Sequence, residues 1–116
     1  MLFRSGDRLG IVTNKPQAAA EEIAQALFPG LFGVVIGERD GQPRKPHPAP
    51  ARAAAAALGA SAADCLFIGD TAIDIETARA AGMRSVGVLW GFRDRLELER
   101  AGAEVVVREP ADILAL

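Results

Sequence analysis

The stretch Leu66-Phe67-Ile68-Gly69-Asp70-Thr71-Ala72-Ile73-Asp74 constrains this chain more than any other. The apolar run from Cys65 to Ile68 reads as a buried strand, and Gly69 ends it. Thr71-x-x-Asp74 then has the spacing of a capping box, opening a helix that runs through Ala78 to Ala81 and stops at Gly82. Asp70 falls just past the strand's carboxyl end, where parallel α/β sheets place their ligand chemistry. Asp70 and Asp74 are four residues apart, one in the turn and one in the first helical turn, so both can face one small volume. Hard oxygen ligands beside a phosphate are what Mg²⁺ prefers. Taken alone, the stretch has a plainer reading: Asp74 completes the capping box and Asp70 is turn chemistry.

The same alternation fills the rest of the chain. Leu9 to Val12 reads as a strand ending in Thr13-Asn14-Lys15-Pro16. Pro16 suits the first position of a helix running to about Phe28, with Ala20, Ile23, Ala24, Leu27 and Phe28 on one face and Pro29-Gly30 as the stop. Gly33 to Ile36 is the next strand; Glu38 to Arg44 is a polar loop, followed by Lys45-Pro46-His47-Pro48. The alanine-rich stretch Ala51 to Leu58 has high helix propensity and ends at Gly59. After the central unit come a strand at Ser85 to Leu89, a turn at Trp90-Gly91-Phe92 and a helix from Asp94 to Ala101. A strand at Glu104 to Val107 and a closing helix from Pro110 to Leu116 end the chain. Strands alternating with helices predict an α/β domain with a mainly parallel sheet and helices on its faces.

A chain of 116 residues is expected to form one domain. A formal net charge of −2 without a Lys/Arg cluster gives no electrostatic footprint for nucleic acid, so none is expected as a partner. Cys65 is the single cysteine, which excludes an intramolecular disulfide, and its apolar surroundings predict a buried thiol. No apolar run approaches a membrane span, and Met1 to Gly6 lacks the apolar core of a signal peptide, so the expected location is cytoplasmic.

Three segment ends carry complementary chemistry. Thr13 and Asn14 close the first strand, Lys45 precedes the alanine-rich helix, and Asp70 and Asp74 follow the central strand. A hydroxyl with main-chain N–H groups, an ammonium and two carboxylates make a phosphate-plus-magnesium constellation. Each has a plainer reading: Thr13 as a strand-end residue or local cap, Asn14 as the start of a helix, Lys45 as a solvated lysine. Pro46 argues for Lys45, because it holds the preceding residue extended. His47 reads as structural or exposed, since a lone histidine is no metal site. Trp90 and Phe92 either cap the core or line a ligand pocket.

Val12-Thr13-Asn14-Lys15-Pro16, Arg44-Lys45-Pro46-His47-Pro48 and Gly69-Asp70-x-x-x-Asp74 resemble the second, third and fourth motifs of the haloacid dehalogenase superfamily. Val88-Leu89-Trp90-Gly91-Phe92 resembles the stretch that follows in its phosphoglycolate phosphatase-like members. The resemblance covers about residues 7–116, leaving 1–6 as an unassigned leader. It implies a Rossmann-like three-layer α/β/α fold and a Mg²⁺-dependent phosphatase acting on a small phosphorylated metabolite through an aspartyl-phosphate. By the resemblance, Thr13 and the Asn14 main chain hold the phosphoryl group and Lys45 neutralises it and the attacking carboxylate. Asp70 binds Mg²⁺, with Asp74 as a second ligand or as the partner that orients Lys45. Related phosphatases, phosphomutases and pyrophosphatases share these motifs; a non-catalytic phosphate- or partner-binding remnant is the reading of a different class.

The family's first motif, Asp-x-Asp-x-Thr or Ser, which carries the nucleophile, is absent from these 116 residues, and so is the cap domain. The only aspartate before the first strand is Asp7, in Gly6-Asp7-Arg8. The expectation is a partial core, truncated or incompletely recorded. The strands ending at Thr13 and at Gly69 then either flank an empty slot or pair directly, and exposed edges invite self-association.

Overall fold

The structure is a computed structural model, and it describes residues 8–91 and 93–116. The expected leader, Asp7 and Phe92 lie outside the described residues. Five strands alternate with four helices: β1 (Gly10–Pro16), α1 (Gln17–Leu27), β2 (Val34–Glu38), α2 (Ala49–Ala57), β3 (Leu66–Gly69), α3 (Ala72–Ala81), β4 (Arg84–Val88), α4 (Arg95–Arg100) and β5 (Val105–Val107). Short 3₁₀ turns occupy Ala62–Asp64 and Pro110–Ala115. The pairings among β1 to β5 are all parallel, as the alternation of elements requires.

The described strands form two sheets rather than one: β1 pairs with β2, and β3-β4-β5 form a separate ladder. Of the two arrangements expected at the strands ending at Thr13 and Gly69, direct pairing does not occur. The halves are joined instead through side chains. Val12 of β1, Cys65 and Phe67 around β3, and Ala78, Ala81 and Met83 around α3 meet Ala51, Ala54 and Ala55 of α2 and the following Leu58 in one buried cluster. Ala51 and Ala54 are fully buried, which accounts for the alanine-rich stretch: small side chains let α2 lie close to both halves.

β3 is covered on both faces. Phe67 enters the α2–α3 cluster, whereas Leu66 and Ile68 point the other way into a second cluster with Val86, Val88 and Val107. A strand buried on both sides reads as a continuous apolar run, and Cys65 to Ile68 does.

Three expectations need correction. β1 continues past Val12 to Pro16, so Thr13 and Asn14 lie within the strand as assigned, with the helix starting at Gln17. Its register shifts there, because Val12 pairs with Ile36 and Pro16 with Glu38. The Gln17 side chain repairs the ladder: Nε2 donates to the Val35 carbonyl at 2.9 Å, and the Gly37 N–H donates to Oε1 at 2.5 Å. Secondly, the apolar face of α1 is only partly covered. Ala20 and Ala24 are buried, whereas Ile23, Leu27 and Phe28 are exposed. A two-stranded sheet offers α1 a narrow seam, which the alanines fill. Thirdly, the closing segment is 3₁₀ rather than α-helical and buries no residue. Six residues give little packing with which to offset helix nucleation. Among the described residues, no helix is long and apolar enough to cross a membrane.

Cys65 is fully buried, and its Sγ lies 3.2 Å from the Ser61 carbonyl. Burial pushes the thiol pKa above its ordinary value of 9.0, and the Asp64 carboxylate adds to the rise. The fold therefore favours the protonated thiol. This contribution to stability is full below pH 9.0 and is lost as pH rises above it toward the folded-state value. The urea midpoint should fall over that range in the unsubstituted chain, and this component of the fall should be missing in Cys65→Ala.

Candidate active site at the strand carboxyl ends

Lys45 is the hub of the site. Its Nζ lies 2.6 Å from Asp74 Oδ1, and the two side chains are only 13% and 9% exposed. Its main chain is held from the other side: the Lys45 N–H donates to Asn14 Oδ1, and Asn14 Nδ2 donates to the Lys45 carbonyl, both at 3.1 Å. Asn14 belongs to β1, and Asp74 stands in the first turn of α3, directly after β3. The ends of β1 and β3 therefore share one side of the molecule, and Lys45 reaches it from the loop before α2.

Asp74 does more than the capping pattern predicts. Thr71 is the N-cap of α3 and its hydroxyl accepts from the Asp74 N–H at 3.4 Å. In the reciprocal arm of a capping box, the Asp74 carboxylate would accept from the Thr71 main-chain N–H. Here Oδ1 is taken by Lys45 and Oδ2 accepts from the Thr71 hydroxyl at 3.2 Å. Both carboxylate oxygens are engaged by protein donors. Two parts were expected of Asp74, a second metal ligand or the partner that orients Lys45, and its carboxylate contacts Lys45 and Thr71.

Two glycines make room for the two aspartates. A Cβ on Gly69 would collide with the Asp74 side chain, and a Cβ on Gly91 would collide with Asp70. The loop after β4 thus packs its backbone directly against the Asp70 carboxylate. Asp70 is half-buried and makes no side-chain hydrogen bond among the described residues. It is the aspartate left open to a ligand. Among the described residues, no cluster of three or more His, Cys, Asp or Glu side chains forms a metal cage. One open carboxylate still fits Mg²⁺, which commonly takes one or two carboxylates and completes its shell with water and substrate phosphate.

Thr13 is half-buried, and its Oγ1 accepts from the Lys15 N–H at 3.2 Å. Accepting that bond leaves the hydroxyl proton able to donate elsewhere. His47 is exposed and its Nδ1 accepts from the Ala49 N–H at 3.0 Å, which seats the first turn of α2 and gives it a structural role. Trp90 is exposed beside Gly91. The sequence did not reveal the part of the Asn14 side chain, because its partner lies 31 residues away and no local pattern links them.

The parallel α/β fold is that of a class of hydrolases. The family model of haloacid dehalogenase-like hydrolases matches residues 4–82, and the chain belongs to that family. It is 39% identical over 116 residues to a phosphoglycolate phosphatase of Pectobacterium atrosepticum, covering 99% of this chain and 50% of that protein. With the phosphoglycolate phosphatase of Escherichia coli it shares 37% identity over 114 residues, covering 97% and 45% respectively. Among solved structures, a haloacid dehalogenase-like family protein from Streptococcus pneumoniae superposes with a TM-score of 0.80 at 25% identity, covering 93% of this chain and 51% of that one. The chain thus spans about half the length of the curated relatives it matches.

Removing the Asp74 charge tests the hub directly. Asp74→Asn leaves the Lys45 ammonium largely buried without its counter-charge, which should destabilise the fold by about 2 kcal/mol. Urea unfolding at neutral pH reads the loss; an unchanged midpoint would show that the pair contributes nothing net.

Proposed function

We propose that this chain carries the phosphate- and metal-binding part of a Mg²⁺-dependent phosphomonoester hydrolase acting on a small phosphorylated metabolite, with phosphoglycolate the first substrate to test. One observation carries the reading: a Lys45–Asp74 pair held at 2.6 Å stands four residues from an aspartate, Asp70, that has no protein partner among the described residues. The phosphoglycolate phosphatases among its relatives support the choice of substrate.

In this reading the Thr13 hydroxyl and the Asn14 main-chain N–H donate to phosphoryl oxygens. Lys45 supplies the positive charge at the phosphoryl group, and Asp74 fixes where that charge sits. Asp70 would hold Mg²⁺, which when bound draws charge from the phosphoryl oxygens. Phosphoryl transfer leaves the protein little to do beyond positioning and charge stabilisation, and these residues are suited to both. The attacking carboxylate is not among them. Thr13 has no adjacent base, Lys45 is paired, and the sequence contains no Asp-x-Asp-x-Thr or Ser. Hydrolysis would need that group from additional polypeptide.

Calorimetric titration with inorganic phosphate tests the reading. Phosphate should bind about tenfold more tightly with Mg²⁺ present, a difference of about 1.4 kcal/mol. Asp70→Asn should abolish the Mg²⁺ enhancement, whereas Lys45→Ala should weaken phosphate binding with or without the metal. Phosphoglycolate and an aryl phosphate should not turn over with the 116-residue chain, but should when a first-motif segment is supplied. Robust turnover by the chain alone that is lost in Asp70→Asn would overturn the assignment of the nucleophile. An Mg²⁺ enhancement that survives in Asp70→Asn would remove Asp70 from the metal site.

A further inference from the structure

We infer that Asn14 is a positioning residue that acts through Lys45: its side-chain amide grips the Lys45 main chain at both N–H and C=O and so sets where the ammonium meets Asp74. The inference rests on the reading of Lys45 as the phosphate-neutralising group.

The grip has the form of strand pairing. One residue's N–H and C=O are both satisfied by one neighbour, here a primary amide with its acceptor and donor side by side, each contact being 3.1 Å. Among the described residues, Asn14 is the only partner of either Lys45 main-chain group. The rest of the loop is loosely tied. Its main-chain bonds are the Gln42 N–H to the Arg39 carbonyl and the His47 N–H to the Arg44 carbonyl, each closing a local turn. Among the described residues, nothing else ties the Lys45 backbone to the end of β1.

Three facts make such a tie necessary. A lysine side chain has four rotatable bonds, so a fixed ammonium needs a fixed backbone as well as a partner for Nζ. β1 and β3 belong to separate sheets, so no ladder hydrogen bond transmits the position of one strand end to the other. The chain of contacts from Asn14 to Lys45, to Asp74 and then to Thr71 spans that gap with polar bonds. The plainer role for Asn14, beginning the following helix, does not apply. The residue before α1 is Pro16, and no side chain caps that helix.

The sequence supplies its own reference for a test, because Lys15 and Lys45 are the only two lysines and Lys15 is exposed. Trace acetylation with acetic anhydride, followed by peptide mass spectrometry, gives the ratio of Lys45 to Lys15 labelling in one sample. Lys45 should label more slowly in the unsubstituted chain. Asp74→Asn should raise the ratio about fivefold or more, as loss of a largely buried ion pair predicts, and Asn14→Ala should raise it by a similar factor. Because Asn14 acts through the Lys45–Asp74 pair, the double variant should show no further rise over Asp74→Asn alone. Additive increases would mean that Asn14 merely supports the fold.

If Asp74→Asn raises the ratio while Asn14→Ala leaves it unchanged, the positioning role is overturned and the Lys45–Asp74 pair stands. If neither substitution changes it, Lys45 is not held as described and the inference falls; the phosphate titration then decides the role of Lys45 independently. Hydrogen exchange on the unsubstituted chain needs no variant, so a failure of Asn14→Ala to fold does not block the test. The Lys45 N–H should exchange about tenfold or more slowly than the neighbouring Arg44 N–H, since among the described residues only the first has a partner. Equal rates would overturn the grip.

Discussion

A single ion pair carries the geometry of this site. The Lys45 ammonium and the Asp74 carboxylate lose most of their hydration where they meet, a cost that Coulomb attraction alone does not reliably offset. The remaining compensation is visible around them. Asp74 stands in the first turn of α3, where the helix field favours a negative charge, and its second oxygen accepts from the Thr71 hydroxyl. The lack of a side chain at Gly69 lets that carboxylate lie against the end of β3. Cap, glycine and carboxylate are therefore one device: the residues that start α3 also hold the lysine.

The same pair explains how two separately paired sheets can present one site. In a continuous sheet, adjacent strand ends are registered by main-chain bonds. Here β1 and β3 lack such a ladder between them, and the packing that joins the halves is made largely by small side chains of α2 and α3. Apolar contact is non-directional. It can bring the halves together without fixing the ends of β1 and β3 to the few tenths of an ångström that a hydrogen-bonded site needs. Directional bonds from Asn14 and Asp74 to a single lysine supply that precision.

How much of this was legible depended on how local the cause was. The run from Cys65 to Ile68 announced β3 because both its faces are buried, and Thr71 and Gly82 bounded α3 through cap chemistry within a few residues. The pairing of Lys45 with Asp74 entered only as one of two options that the family resemblance implies, undecided because metal binding and lysine binding ask for the same carboxylate. The amides of Asn14 and Gln17 were invisible: each bonds a backbone segment distant in sequence, and neither pattern nor propensity encodes a partner. The apolar face of α1 misled for a related reason. Periodicity reports that a face is apolar, but the width of the surface available to cover it is a property of the whole fold.

Charge completes the argument about division of labour. Asp70, Asp74 and Lys45 together carry one net negative charge when all are ionised, so a phosphate approaching these three alone meets repulsion rather than attraction. The two aspartates respond differently to a cation. Asp74 has both oxygens committed, and a metal drawn to it would compete with the Lys45 ammonium and set two positive charges against each other. Asp70 has no such competitor among the described residues, and the close approach of Gly91 leaves little freedom for its carboxylate to swing toward that loop. A divalent cation at Asp70 would reverse the local sign, in keeping with the tighter phosphate binding expected when Mg²⁺ is present. Two neighbouring carboxylates of the same type thus separate by their surroundings: Asp74 is bonded to Lys45 and Thr71, and Asp70 has no protein partner among the described residues, which is the difference the proposed division between lysine and metal rests on.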